Sequence, residues 1–233
     1  MSKFLAVLAL ILVPLEVHAL SFKDDFKRLD GQWVATDHGK LGASTWDASH
    51  VLVRDGHLIL RHTVGEAMRG AELMRKTPVL YGTLSARIKS GDAGGVLSTL
   101  FLYGNVEGKT HEIDVLELFP DQPDAPNLTS YMDWAEADEY KPGPHYFHAQ
   151  PAIESFDCWQ WHTYTVRWKP ESVTWLIDGK ERAFTDKVVP FKPLNIMFNT
   201  WHPSSWAKVT PDHDSEQWVD WLQWQDLKVS TGR

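Results

Sequence analysis

The segment from Thr110 to Phe119 constrains the fold of this chain more than any other. Its three carboxylates alternate with branched apolar residues, a pattern that favours a β-strand over a helix. In a helix, Glu112 and Glu117 would project about 140° apart. In a regular strand, Glu112 and Asp114 share one face, whereas Glu117 points to the opposite one. A β-bulge at Val115–Leu116 would return Glu117 to the common face, and bulges are enriched beside active sites.

The spacing of the three acids suits the cleavage of a glycosidic bond. With a bulge, the Cα atoms of Glu112 and Glu117 would lie roughly 13 Å apart at ~3.3 Å per residue. Side chains that lean towards each other could then bring the carboxyls to the ~5–5.5 Å of a retaining glycosidase. Three carboxylates this close cannot all ionise, so at least one is expected to hold a proton near neutral pH. The alternative is an exposed amphipathic strand with an acidic outer face, and the motif alone does not decide between the two.

Four flanking segments occur in a specific order around the acidic strand. They are Tyr81–Lys89, Gly94–Gly104, Trp161–Gly179 and Ile196–Trp201. In order and spacing they resemble glycoside hydrolase family 16, whose bulged members carry Glu-x-Asp-x-x-Glu on a cleft strand. The resemblance covers nearly the whole chain after residue 19. It implies an all-β fold, a concanavalin-like β-jelly-roll sandwich of two antiparallel sheets with a concave substrate cleft.

The resemblance also implies catalytic roles for the three acids. Glu112 would be the nucleophile, Glu117 the acid/base, and Asp114 the residue that orients and tunes them. Two features depart from the lichenases of the family. Thr110 stands where lichenases have a Trp, and the bulge is shared instead with laminarinase-like, agarase and carrageenase members. The catalytic assignment survives both departures, but the substrate assignment does not.

Five further residues are implied to contact the substrate. By the resemblance, Glu72 and Asn199 would form hydrogen bonds with sugar hydroxyls, and Trp201 would stack on a sugar ring. Trp134 and Trp206 lie on or beside segments that the resemblance places near the cleft, so both are also stacking candidates.

Other aromatic and sulfur side chains are interpreted as core residues. The chain has twelve tryptophans, and four of them lie on predicted strands and are assigned to the core: Trp33, Trp168, Trp175 and Trp221. Cys158 is the single cysteine, so no internal disulfide can form. Its neighbours Trp159 and Trp161 predict that it is a small buried side chain.

A structural calcium site is a further implication of the resemblance, whereas the predicted catalysis requires no cofactor. The positions that bind Ca²⁺ on the convex face of lichenase-like members map to Asp25, Gly56 and Asp220. Oxygen-only ligands suit this cation. Asp220 could instead cap a strand edge.

Residues 1–19 are typical of a secretory signal peptide. Lys3 precedes an apolar run from Phe4 to Val13, and Val17-His18-Ala19 forms a small-residue cleavage site. A membrane anchor is the alternative, but the apolar run falls short of the ~20 residues that span a bilayer. We therefore predict a secreted or periplasmic protein in which residues 20–233 form one catalytic domain.

The acidic charge excludes two classes of partner. The chain carries 23 Lys and Arg against 31 Asp and Glu, a formal net charge of −8. Nucleic-acid-binding proteins usually show a basic stripe, and anionic membrane surfaces attract basic segments. A heavily sulfated galactan would need a basic cleft, so a neutral or weakly charged glycan is favoured.

Two Asp-Gly pairs predict β-hairpins. Asp55-Gly56 separates the predicted strands 51–54 and 57–60, and Asp178-Gly179 separates 173–177 from 180–184. Further strands are expected near 80–89, 96–103, 111–119, 128–134, 161–168, 193–200 and 217–229. The Pro-rich segments 120–126 and 142–151 are predicted to be loops at the cleft rim.

Together these features predict a secreted, monomeric, endo-acting β-glycanase that works with retention. The expected substrate is a polysaccharide, a β-1,3- or mixed β-1,3/1,4-glucan. Three alternatives are a transglycosylase, a periplasmic glycanase that processes the exopolysaccharide of its own producer, and a non-catalytic carbohydrate-binding sandwich. The last would have no need for all three acids.

Overall fold

A computed structural model describes residues 21–106, 108–132 and 145–227, and it is built almost entirely of β-strands. The predictions for residues 1–19 and for Trp134 fall outside the described residues. No helix in the described part of the chain has the length and apolar character that a bilayer-spanning segment requires. The strands in chain order are β1 (Phe22–Asp24), β2 (Trp33–Ala35), β3 (Lys40–Leu41), β4 (Ser44–Trp46), β5 (Val51–Arg54), β6 (His57–His62), β7 (Arg69–Arg75), β8 (Gly82–Lys89), β9 (Leu97–Val106), β10 (Lys109–Leu118), β11 (Asn127–Met132), β12 (Tyr146–Ala149), β13 (His162–Lys169), β14 (Ser172–Ile177), β15 (Lys180–Thr185), β16 (Asn195–Trp201) and β17 (Ser215–Asp226), with a 3₁₀ turn at Ala48–His50.

The strands form two sheets. The eight-stranded sheet has the order β15-β14-β13-β8-β17-β6-β5, and β1 also pairs with β17. The nine-stranded sheet has the order β12-β11-β10-β9-β16-β7-β4-β3, and β2 also pairs with β7. Several neighbours in these orders, such as β13 and β8 or β9 and β16, are distant in sequence, as in a jelly-roll sandwich. The all-β sandwich that the sequence predicted is therefore confirmed.

Buried and more exposed side chains alternate along the strands, and the buried ones form the core between the sheets. On β8, Leu84, Ala86 and Ile88 are fully buried, while the intervening residues are only partly buried. The same inner layer contains the large side chains Trp168 and Trp175, both 0% exposed. Burial of roughly 150–250 Å² by an aromatic side chain of this size contributes about 4–6 kcal/mol at ~25 cal/mol per Å². The core thus holds the two sheets in a fixed relation.

A register shift corrects one of the core predictions. Trp33, Trp168, Trp175 and Cys158 are buried as expected, but Trp221 is only half-buried. The pairing of β17 with β8 shifts register between Val219 and Trp221. This bulge turns Trp221 outwards, where the Nζ atom of Lys23 lies 6.0 Å from its ring centroid. Trp224 occupies the core instead, at 0% exposed.

Both predicted hairpins are present. The turn between β5 and β6 places Asp55 at φ 54° and Gly56 at φ 75°, and the turn between β14 and β15 places Asp178 at φ 50° and Gly179 at φ 74°. Two consecutive positive φ angles define a type I′ turn, which matches the twist of the flanking strands. These turns confirm the Asp-Gly signals.

Several strands were not expected from the sequence, among them β1, β3 and β4. Tyr146–Ala149 lies in the segment 142–151 that was predicted to be a loop, but it forms β12 and pairs with β11 at the edge of the nine-stranded sheet. Pro151 follows the strand and breaks no ladder hydrogen bond. The strand β7 (Arg69–Arg75), which carries Glu72, was also unexpected.

A buried histidine links the two sheets. His62 of β6 is 0% exposed, and its Nε2 atom lies 3.0 Å from the hydroxyl of Ser44 on β4 in the other sheet. Burial lowers the pKa of His62 to about 4, and the neighbouring His202 and His50 add to the effect. A depressed pKa means that the unfolded chain binds this proton at a higher pH than the native protein does.

We therefore predict that His62 destabilises the protein in acid. Its contribution to stability is complete above pH 6.5 and is lost as the pH falls to 4. The full loss is about 3 kcal/mol in the free energy of unfolding. Urea unfolding of the wild type and of His62→Gln at pH 7 and pH 4 should show that the variant loses less stability than the wild type. Equal losses in both proteins would contradict this account.

Candidate active site

The acidic strand contains the bulge that its sequence predicted. The pairing of β10 with β9 passes from Asp114 opposite Phe101 to Leu116 opposite Leu100, so Val115 is the extra residue. The pairing of β10 with β11 also shifts register after Asp114. Val115 and Leu116 are both buried, which breaks the alternation of the strand. All three acids consequently face the outer side of the nine-stranded sheet.

The three acids are close enough to share protons. Asp114 accepts a hydrogen bond from the hydroxyl of Thr129 on β11 and is hydrogen-bonded to Glu112. Burial raises the pKa of Asp114 well above its usual range, and the charges of Glu117 and Glu112 raise it further. Both effects favour the protonated form of Asp114. A proton on Asp114 can be donated to Glu112, which favours the ionised form of Glu112.

The two glutamates titrate close to neutral pH. Burial raises the pKa of Glu112 to about 7, against the hydrogen bond from Asp114, which lowers it. Burial likewise raises the pKa of Glu117 to about 7, and the charge of Glu112 adds to this effect. A carboxylate and a carboxylic acid can then coexist at pH 7. That combination is what a nucleophile and a general acid require.

A row of polar side chains crosses the sheet beside the acids. In the strand register, Glu72 of β7 lies opposite Asn199 of β16, Asn199 opposite Thr99 of β9, and Thr99 opposite Glu117. The Thr99 hydroxyl donates to Asn199 Oδ1 at 2.6 Å, and the Thr36 hydroxyl donates to Glu72 Oε1 at 2.8 Å. Burial raises the pKa of Glu72. The structure thus joins Glu72 and Asn199, both predicted from the sequence to bind sugar, to the strand that carries the three acids.

The acids lie between two arms of an open cleft. The first arm has a volume of about 430 Å³ and is lined by Glu72, Asn199 and Trp201. The second arm has a volume of about 770 Å³ and is lined by Trp206 among others. Trp206 is 46% exposed, and its ring meets that of Trp201 edge to face, with centroids 6.2 Å apart and an angle of 72°. Glu112, Asp114 and Glu117 border both arms.

The second arm contains aromatic residues that the sequence did not identify. Tyr146 and His148 project from β12 into this arm, and Tyr146 is 59% exposed. Their rings lie nearly parallel, at 14° with centroids 6.2 Å apart, and His148 Nε2 lies 3.1 Å from Asn127 Oδ1. The alternation of Tyr146 and His148 around the apolar Phe147 was the available signal. It was hidden because the flanking prolines predicted a loop.

The family follows from comparison with known proteins. The model of the family described as Glycosyl hydrolases family 16 matches residues 39–222. The chain belongs to glycosyl hydrolase family 16. A β-glucanase of Fibrobacter succinogenes is 29% identical over 166 residues, which is 66% of this chain and 46% of that protein. A β-glucanase of Acetivibrio thermocellus is 27% identical over 217 residues, which is 86% of this chain and 62% of that protein.

The fold of the family 16 domain has a solved counterpart. A lichenase derived from a mouse hindgut metagenome superimposes with a TM-score of 0.76 at 24% identity, over 89% of this chain and 99% of that one. At this level of identity the likeness concerns the fold alone. The chain spans roughly half to three fifths of the length of the two curated relatives.

Of the residues expected to bind calcium, Asp25 and Gly56 would do so through backbone carbonyls and Asp220 through its carboxylate. The carboxylate of Asp220 accepts a hydrogen bond from Arg87 at 2.6 Å, and that of Asp25 lies 2.5 Å from the Nζ atom of Lys23. Within the described ranges, no group of three or more His, Cys, Asp or Glu side chains could hold a metal ion. Ca²⁺ usually takes 6–8 oxygen ligands. Backbone carbonyls, such as that of Gly56, are outside this set of side chains, so the calcium site stays a prediction and we derive no role for calcium.

The buried acids predict a conflict between stability and function. The native pKa of Glu117 is raised above its unfolded value, so its contribution to stability is present below pH 4.5 and is lost as the pH rises through 7. Glu117→Gln should therefore raise the free energy of unfolding at pH 8 by roughly 1–3 kcal/mol, and by less at pH 5. Urea unfolding measures this difference.

The matched control for that variant is Glu181→Gln, which makes the same chemical change at an exposed position on β15. It should leave the free energy of unfolding within about 0.5 kcal/mol of the wild type at both pH values. A Glu117→Gln variant less stable than the wild type at pH 8 would show that the buried carboxylate is not a source of strain.

Proposed function

We propose that this family 16 chain is a secreted or periplasmic, monomeric, endo-acting β-glycanase that cleaves with retention. The observation that carries the proposal is the bulge in β10, which sets Glu112, Asp114 and Glu117 on one face in the middle of the cleft. Because the cleft continues on both sides of the acids, a polysaccharide can bind across them with chain on either side. That arrangement favours cleavage within the chain over removal of terminal sugars.

The two glutamates would divide the reaction between them. The Glu112 carboxylate attacks the anomeric carbon, while Glu117 donates its proton to the glycosidic oxygen and the leaving sugar departs. A glycosyl ester on Glu112 results. Glu117, now ionised, takes a proton from a water molecule that attacks the same carbon, and the ester bond to Glu112 breaks. Asp114 holds Glu112 through their hydrogen bond, and Thr129 holds Asp114.

The substrate class rests on the cleft and on the relatives. Two curated relatives are named β-glucanase. In the first arm, Glu72 and Asn199 offer polar groups and Trp201 an aromatic face; in the second, Tyr146 and Trp206 offer aromatic faces. With a net charge of −8, the chain suits a neutral glycan. We therefore propose a β-1,3- or mixed β-1,3/1,4-glucan.

Transfer to a sugar acceptor is a second candidate outcome of the same chemistry. The second arm, at about 770 Å³, is larger than the first, at about 430 Å³. A sugar bound there could take the place of water in the second step. The enzyme would then lengthen some products instead of only shortening its substrate.

The catalytic assignment predicts that Glu112→Gln and Glu117→Gln each lower turnover of laminarin or lichenan by at least about 100-fold. The first variant lacks the nucleophile, and the second lacks the group that donates and then accepts the proton. Glu181→Gln serves as the control and should keep wild-type turnover. Reducing-sugar release measures activity, and proton NMR of fresh products should show the β-anomer first. Size analysis of the same products distinguishes hydrolysis from transfer, since only transfer makes oligosaccharides longer than the starting one. Unchanged turnover in both glutamine variants would exclude the proposed function.

The raised pKa values of Glu112 and Glu117, each about 7, predict a bell-shaped pH profile. Activity falls in acid because Glu112 becomes protonated, and it falls in alkali because Glu117 loses its proton. We expect kcat/KM to peak near pH 7, with both limbs between about pH 5 and 9. On an aryl glycoside whose leaving group needs no acid, Glu117→Gln should lose the alkaline limb. A flat profile from pH 5 to 9 would contradict the assignment.

A further inference from the structure

A backbone carbonyl at the bulge of β10 accepts a hydrogen bond from a side chain of the opposite sheet. Trp175 lies on β14 in the eight-stranded sheet and is 0% exposed. Its indole Nε1–H donates to the backbone carbonyl of Asp114 at 2.8 Å. Ladder hydrogen bonds run within a sheet, whereas this one crosses the core between the two sheets. Asp114 is also the residue after which β10 shifts its register against both neighbouring strands.

The same indole supports the second arm of the cleft. Phe147 of β12 stacks on Trp175, with ring centroids 5.3 Å apart and an angle of 20°. Phe147 lies between Tyr146 and His148, which point into the second arm. Trp175 therefore contacts both the backbone that carries the acids and the strand that carries the aromatic residues beside them.

A buried indole normally finds an acceptor for its N–H, so the bond alone shows no special role. Trp168 is the comparison within this protein. It is also 0% exposed, and its Nε1–H donates to the carbonyl of Pro190 at the same distance, 2.8 Å. The two residues differ in the carbonyl that they hold. Pro190 is outside the strands, whereas the carbonyl of Asp114 belongs to the bulge.

We propose that Trp175 is a positioning residue for catalysis, because its indole N–H holds the bulge that aims Glu117 into the cleft. The inference rests on the proposed function. Without the N–H, the carbonyl of Asp114 would be left in the core without its donor, a state that favours a change of backbone conformation. A slip of one residue would turn Glu117 from the cleft to the core face. Trp175 thus acts on the reaction through the backbone of β10.

The test compares Trp175→Phe with Trp168→Phe. Each variant removes one buried N–H and keeps an aromatic ring, so both should lose stability to a similar extent. Trp175→Phe should lower kcat at least tenfold with KM changed less than threefold, and it should shift the pH profile. Trp168→Phe should keep the kcat and the pH profile of the wild type. The proposal is overturned if Trp175→Phe keeps wild-type kcat and profile, or if both variants change them equally.

A second readout separates this inference from the proposed function. NMR titration of the Glu carboxyl carbons requires no substrate. In Trp175→Phe the pKa of Glu117 should move away from its wild-type value, since the side chain would leave its place beside Glu112, whereas Trp168→Phe should titrate like the wild type. If the wild-type protein cleaves no glycan, the proposed function fails, yet the titration still decides the role of Trp175. If Trp175→Phe does not fold, β-(3-benzothienyl)alanine at position 175 removes only the N–H and takes its place in both measurements.

Discussion

The site depends on one extra residue in one strand. A strand of period two cannot present Glu112, Asp114 and Glu117 on the same face, and Val115 resolves this by bulging out of the pairing with β9. The consequence is a cluster of three acids that burial and mutual repulsion keep partly protonated. Their proton sharing makes the cluster suited to acid and nucleophile chemistry, and it also makes the cluster unfavourable for stability.

The remainder of the sandwich compensates for that unfavourable cluster. The hydroxyl of Thr129 satisfies Asp114 from one neighbouring strand, and Thr99 connects the other neighbouring strand to Asn199. The tightly packed core behind β10 leaves the bulge little freedom to relax, and Trp175 contacts it directly. Rigid packing on one face of the sheet and polar hydrogen bonding on the other therefore hold the acids in one arrangement.

Features with a local cause could be predicted from the sequence. The bulge follows from the spacing of the three acids, because a regular strand would place Glu117 on the opposite face from Glu112 and Asp114. The Asp55-Gly56 turn follows from the backbone angles that a type I′ turn requires. Features with a distant cause could not. Tyr146 enters the cleft only because β12 finds a partner in β11, and Trp221 faces outwards only because β17 shifts its register against β8. No local pattern marks Trp175 either, since its acceptor lies on the opposite sheet.

The most direct test of this account is to trap the glycosyl intermediate. An activated 2-deoxy-2-fluoro oligoglucoside slows the second step, so the sugar should accumulate on the nucleophile. Mass spectrometry of a proteolytic digest then identifies the residue that carries it. The account predicts the sugar on Glu112, in a peptide from β10. Attachment to Glu117 would reverse the two roles, and cleavage of substrate with inverted products and no attached sugar would contradict retention altogether.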